Sequence, residues 1–143
     1  MTWGEIQIIT LEKMFAKDEP ITVEDLDELR EDDDCKWYLS AMPAVANEAI
    51  QRVKPHVMNT YKFNEGTGKY DKTTVMKIDN DTNDDEEIDL PESACVLIPL
   101  YIASELYKDD DIALATQYRN EFEAGLQDLE VEIETQDMIR EVY

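Results

Sequence analysis

At 143 residues the chain has the length of one domain, and an apolar fraction of 43% is enough to build a core instead of a disordered polyelectrolyte. Thirty-five acids against thirteen bases leave a formal charge of −22. Such a charge argues against a nucleic-acid-binding protein, whose phosphate contacts need lysine and arginine, and against attraction to an anionic membrane.

The start, Met1-Thr2-Trp3-Gly4-Glu5, has no basic region followed by an apolar core, so no signal peptide is expected. Thr2 can cap a first helix over about 3–16, with Ile6, Ile9 or Thr10, Lys13 and Met14 stepping around one face. Lys17-Asp18-Glu19-Pro20 ends it. Thr22-Val23-Glu24-Asp25 resembles a capping box and opens a short acidic helix over about 22–30. From Asp18 to Asp34 there are ten acids and one base, Arg30, which reads as a solvated face.

Asp32-Asp33-Asp34 then caps a third helix over about 33–53. Its buried stripe is Leu39, Met42, Ala46, Ala49 or Ile50 and Val53; Pro43 predicts a kink or restart, and Trp37 a core or interface anchor. Cys35 and Cys95 fall in separate predicted helices without CxxC spacing and read as two reduced thiols of a protein made inside the cell.

Residues 54–90 change character. Met58 to Phe63 alternates and is rich in β-formers, Asn64-Glu65-Gly66-Thr67-Gly68 is turn material, and Thr73 to Ile78 alternates again. These predict a β-hairpin or small sheet inserted between helices, completed by Glu87 to Leu90. Arg52 to Lys77 holds six of the thirteen bases against two acids, Glu65 and Asp71. Asp79 to Glu92 has eight acids and no base and reads as a mobile, solvated loop.

Residues 91–134 predict the hydrophobic centre of the fold, an antiparallel helical hairpin. Ala94 to Ala103 is ten apolar residues in a row, too short to span a bilayer and therefore buried on all sides. Pro91 suits a first turn, whereas Pro99 lies in the interior and should bend or locally open the helix. Lys108 followed by Asp109-Asp110-Asp111 is a stop and a restart. Ala115, Tyr118, Phe122, Leu126, Leu129 and Ile133 then repeat with helical spacing. A tail over 135–143 carries Met138, Ile139, Val142 and Tyr143, which read as a last core turn or as a docking peptide for a neighbour. The fold class expected is mainly α (α+β), a helical bundle with this C-terminal hairpin and the small β insert.

No catalytic constellation is legible. His56 is the one histidine and follows Pro55 at a helix-to-strand boundary, where it reads as a turn residue. Gly66-Thr67-Gly68 lacks the further glycine and the Lys-Ser/Thr of a phosphate loop. A calcium loop beginning at Asp79 would need glycine sixth and glutamate twelfth, where this chain has Asp84 and Leu90. No cofactor or metal is expected, and the chain reads as a non-enzyme.

Leu100-Tyr101-Ile102-Ala103-Ser104-Glu105-Leu106-Tyr107-Lys108-Asp109-Asp110-Asp111, followed by Ala115-Thr116-Gln117-Tyr118-Arg119-Asn120-Glu121-Phe122-Glu123, resembles the C-terminal helical hairpin of the head-to-tail connector (adaptor, head-completion) proteins of tailed bacteriophages and prophages. Asp32-Asp33-Asp34 through Ala44-Val45-Ala46-Asn47-Glu48-Ala49-Ile50 resembles an early helix of the same proteins. The resemblance covers about half the chain, and 54–90 has no counterpart in it. It implies a non-enzymatic virion structural protein of the neck: a ring of identical subunits that meets the portal and the tail and passes packaged DNA through its pore. Two other readings are a tail-completion or tail-terminator protein, which would be built mostly on a sheet, and an acidic regulatory protein that mimics DNA.

A ring needs a heterologous contact, one surface meeting a different surface on the next copy. The basic residues Arg52, Lys54, Lys62, Lys69, Lys72 and Lys77, together with Met138, Ile139, Val142 and Tyr143, are the interface candidates. The basic insert is expected to dock on an acidic segment of the neighbour. Charge reversal at Lys62, Lys69 and Lys72 should therefore weaken assembly; an unchanged assembled mass by light scattering would overturn that expectation.

Overall fold

The computed structural model describes residues 1–15, 19–58 and 61–142, with side chains as far as Leu129. Helix α1 spans Trp3–Met14, α2 Leu26–Leu29, α3 Lys36–Val57, α4 Glu92–Cys95, α5 Ile98–Leu106 and α6 Ile112–Val142; strands β1 Tyr61–Asn64 and β2 Lys69–Lys72 form the sheet. The fold is thus mainly helical with a small β insert.

Helix α5 lies in the centre because it has no face suited to water. Every residue from Ile98 to Ser104 is buried, and α1, α3 and α6 each pack on it. The ten-residue apolar run does not form one helix: α4 ends at Cys95, and α5 begins at Ile98 with Pro99 in its first turn. A proline there cannot donate to the carbonyl of Cys95, so the chain breaks one turn earlier and restarts. After the turn at Tyr107–Asp111, α6 returns alongside α5. The Asp111 carboxylate accepts from the N–H of Leu114 at 3.1 Å and caps it. Ala115, Phe122, Leu126 and Leu129 are buried and Tyr118 is half-buried, as the spacing predicts; Ile133 lies beyond the described side chains. Gly125 admits the Leu97 side chain, because a Cβ there would come within 2.3 Å of Leu97 Cδ2.

Helix α3 buries Leu39, Met42, Ala46, Ala49, Ile50 and Val53, the whole predicted stripe. It differs from expectation at its start, at Pro43 and at its end. It begins at Lys36 with Cys35, not an aspartate, at its N-cap, and it runs without a restart at Pro43 and one turn beyond residue 53, through Pro55 and His56, to Val57. Tertiary packing of one long apolar stripe outweighs the lost backbone bonds. His56 is consequently helical and not a turn residue.

The insert also differs. The strand pairing with β1 is Lys69–Lys72, in the register Tyr61↔Lys72 to Asn64↔Lys69; neither Thr73 to Ile78 nor Glu87 to Leu90 forms a strand. The turn decides this. Gly68 has φ +68°, and its N–H donates to the Asn64 carbonyl at 2.9 Å, so pairing begins at Lys69. Residues 73–78 return to the body, where the Asn47 side chain donates to the Ile78 carbonyl at 2.7 Å and accepts from its N–H at 2.9 Å. One amide thereby replaces a strand partner and seats Ile78 in the core.

The acidic stretch Asp79 to Glu92, expected as a solvated mobile loop, is held against the start of α1. The N–H groups of Trp3 and Gly4 donate to the carbonyls of Glu86 and Asp84, and that of Ile88 to the carbonyl of Met1. Asp84 accepts from Gln7 at 2.8 Å and from Arg30 at 2.5 Å, and Ile88 is buried. The first N–H groups of a helix have no partner within it, and this stretch supplies them.

The C-terminal segment 135–143, read as a separate tail, continues α6 as helix to Val142. No glycine or proline follows Gly125, and the intervening residues are mostly good helix formers. Tyr143 lies outside the described residues. One contiguous core joins all six helices with Ile78 and Ile88. No described helix is long and apolar enough to cross a membrane.

Gly4 tests the seating of the acidic stretch. A Cβ there would stand 2.8 Å from the Asp84 carbonyl oxygen and 3.1 Å from Asp84 Cβ, neither of which can rotate away. Gly4→Ala should therefore destabilise the protein by about 1–2 kcal/mol despite its better helix propensity. Urea unfolding measures this, and a variant as stable as the wild type would show that the stretch is not seated there.

Candidate functional site

Among the described residues, no three His, Cys, Asp or Glu side chains converge on a point that could hold a metal ion. Both cysteines are buried and unbridged, and burial pushes the Cys95 thiol up to about 11, leaving it almost entirely protonated at neutral pH. A groove of about 540 Å³ beside the hairpin is lined by residues between Met58 and Thr74, including Lys62, Glu65, Asp71 and Lys72. Among the described residues its lining holds no histidine or cysteine.

The basic candidates separate into two groups. Arg52 and Lys54, on α3, are engaged within the chain. Arg52 lies 3.2 Å from Glu123 on α6 and 5.5 Å from the centre of the Tyr101 ring. Lys54 donates to the Thr73 carbonyl and tethers the strand leaving the hairpin. Lys62, Lys69 and Lys72 stand exposed on the hairpin, and Lys77 is exposed just before the anchored Ile78. Met138, Ile139 and Val142 are on α6, with side chains outside the described set.

The register adds what sequence alone did not single out. Cross-strand partners share a face, and so do residues two apart. Tyr61, Phe63, Tyr70 and Lys72 therefore occupy one face of the hairpin, and Lys62, Asn64, Lys69 and Asp71 the other. Tyr61 is 57% exposed, Phe63 48% and Tyr70 71%, with Phe63 and Tyr70 rings 5.2 Å apart. Three large aromatic rings on one face of a two-stranded ribbon are an unusual investment in solvent-exposed apolar area. The alternation of Tyr61 and Phe63 was readable, but Tyr70 could join them only once the turn had set the pairing.

A second surface lies at the other end of α3. Trp37, placed by its sequence context in a core or an interface, is 62% exposed. It packs edge-on against Tyr38, whose ring also meets Phe15 at 5.5 Å and whose hydroxyl donates to Asp110 in the α5–α6 turn. That bond brings two acidic triplets, Asp32 to Asp34 and Asp109 to Asp111, to one end of the molecule, each with a lysine close to it in the chain, Lys36 and Lys108. Ile112, 74% exposed, opens α6 beside them.

Between the two ends, a polar knot joins three helices. Tyr101 on α5 packs edge-on to Phe122 at 5.1 Å and lies 4.5 Å beneath the Arg119 guanidinium; its hydroxyl donates to Glu48 at 3.2 Å. Arg119 also bonds Glu105 and the Ser104 hydroxyl. Burial and the nearby Glu48 push the Tyr101 phenol upward, so it remains a neutral donor.

No protein-family model, curated protein or solved structure matches the chain.

The Tyr38 phenol is pushed up to about 12, first by its hydrogen bond to Asp110 and then by burial. A raised folded value means that this bond supports the fold fully below pH 10 and is lost as pH climbs from 10 through 12. In Asp110→Asn, the Tyr38 midpoint should fall back toward 10, read from its ring-carbon NMR shift. An unmoved midpoint would mean that Asp110 does not clasp the start of α3.

Proposed function

We propose that this protein is a non-enzymatic structural subunit that works by assembling, as a ring at the neck of a tailed bacteriophage, between the portal of the head and the tail. The observation that carries the reading is the hairpin itself. The segment resembling connector proteins, Leu100 to Glu123, is the α5–α6 hairpin around which the molecule packs. Two features support it. The described surface offers exposed aromatic and charged patches and no catalytic constellation, which suits a protein whose business is contact. The mainly helical architecture also favours an adaptor over a sheet-based tail terminator.

In this reading the partners are further copies of the chain, the portal and the tail or neck proteins, and the location is the virion at the head–tail junction. Packaged DNA passes through the pore without sequence-specific contacts. A lumen lined by acids repels the phosphate backbone and lets it slide. The charge of −22 keeps one competing reading alive, an acidic protein that occupies the DNA-binding face of a basic partner.

The deciding measurement is mass in solution by light scattering after size exclusion, at low and high salt, with and without portal complexes. A discrete assembly many times the 16.6 kDa subunit, formed alone or on the portal, is the expected result. A monomer indifferent to portal, but displacing DNA from a basic DNA-binding protein, would replace the ring with the DNA mimic.

A further inference from the structure

We infer that the β1–β2 hairpin is one half of a head-to-tail contact between copies of this chain, its aromatic, lysine-bearing face seating on the Trp37 end of the next subunit. The inference rests on the assembly reading above and names the two surfaces that such an assembly would join.

The hairpin has the properties of a donor. Its strands are four residues each, they pair only with each other, and a two-stranded ribbon is marginal in water without a further surface to cover it. Its exposed residues are of the kind that anchor interfaces: Tyr61, Phe63 and Tyr70 carry large apolar area at low rotamer cost, with Lys72 on the same face and Lys62 and Lys69 on the opposite one. The Lys54 tether and the Asn47 clamp hold both ends of the returning segment 73–78 to the body, so the ribbon is presented at a defined place and little ordering remains for docking to supply.

The Trp37 end is its complement. It offers an exposed indole for the aromatic face, held edge-on by Tyr38, and the aspartates of the two triplets, of which Asp33 is paired with Lys36 at 2.7 Å. Lysines approaching that end meet a field of opposite sign, which speeds encounter and sets orientation. The hairpin follows the end of α3 remote from Trp37. The 22-residue α3 separates them, about 33 Å at 1.5 Å per residue. Two complementary surfaces set apart on one chain can be joined between copies, and such head-to-tail contacts close into a ring or grow into a filament.

Two variants test this on the full chain. The first, Tyr61→Ser with Phe63→Ser and Tyr70→Ser, disables the hairpin and keeps the Trp37 end. The second, Trp37→Ser with Asp33→Lys and Asp34→Lys, does the reverse. All six positions are exposed, so thermal melts near the wild type should confirm folding. Under conditions where the wild type assembles, each variant alone should remain at 16.6 kDa, while an equimolar mixture should form a 1:1 pair of about twice that mass, since one intact hairpin then meets one intact Trp37 end and no further contact is possible.

Wild-type-sized assemblies from either variant would overturn the contact and leave the ring reading standing. So would a hairpin variant that still self-assembles but no longer binds portal, because the hairpin's partner would then be the portal. A 1:1 pair from the mixture, alongside wild-type filaments that ignore portal, would keep the contact and overturn the neck ring. A wild type that never self-associates, with no pair from the mixture, would overturn both.

Discussion

The structure depends on covering a nine-residue helix that has no polar face. From Ile98 to Ser104 α5 presents apolar or internally bonded side chains in every direction, and Ser104 satisfies its hydroxyl on the Tyr101 carbonyl. A helix of this kind is stable only when enclosed. α6 encloses it from one side as the second arm of the hairpin, α3 from another, and α1 from a third. The requirement explains features that otherwise look unrelated. The break between α4 and α5 lets Pro99 begin a new helix, and Gly125 lets Leu97 descend onto α6. α3 continues through two prolines because shortening it would uncover part of the same surface.

A chain with 35 acids must also hold itself together against its own repulsion. The described arginines are spent where elements meet: Arg30 joins α2 to Asp84, Arg52 joins α3 to Glu123, and Arg119 links α6 to Glu105 on α5. The planar guanidinium suits this, since it can bond a carboxylate while lying over a ring, as both Arg52 and Arg119 do with Tyr101. The lysines of the hairpin have a different placement, exposed on both faces of the ribbon. Charge is therefore used in two ways: arginine binds the elements of the fold together, and the hairpin lysines face solvent.

How much of the molecule was legible follows from the range over which each signal acts. The buried stripe of α3, the apolar run of α5 and the stripe of α6 repeat at helical spacing, and each folds as read. The glycine turn was equally local. The strand after it was misplaced because Thr73 to Ile78 alternates as a strand would, whereas the turn commits Lys69 to Lys72 to the pairing and Asn47, distant in sequence, takes up Ile78. The acidic run before Glu92 looked solvated by composition; the unpaired N–H groups at the start of α1 hold it in place. Of the candidate interface, the six bases are visible as a cluster, but only their placement divides them into Arg52 and Lys54, which bond within the fold, and Lys62, Lys69, Lys72 and Lys77, which stand exposed.

The sequence by itself determined the helical class, the central hairpin, the core faces and the extreme charge, because periodicity, caps and composition are properties of neighbouring residues. Tertiary structure alone decided which residues share a surface. Tyr70 joins Tyr61 and Phe63 through cross-strand register, and the two aspartate triplets come to one end through the bond from Tyr38 to Asp110. Trp37, whose neighbours would have suited a core, remains outside it. Those juxtapositions link residues far apart along the chain, and their geometry is set by how the helices pack around α5.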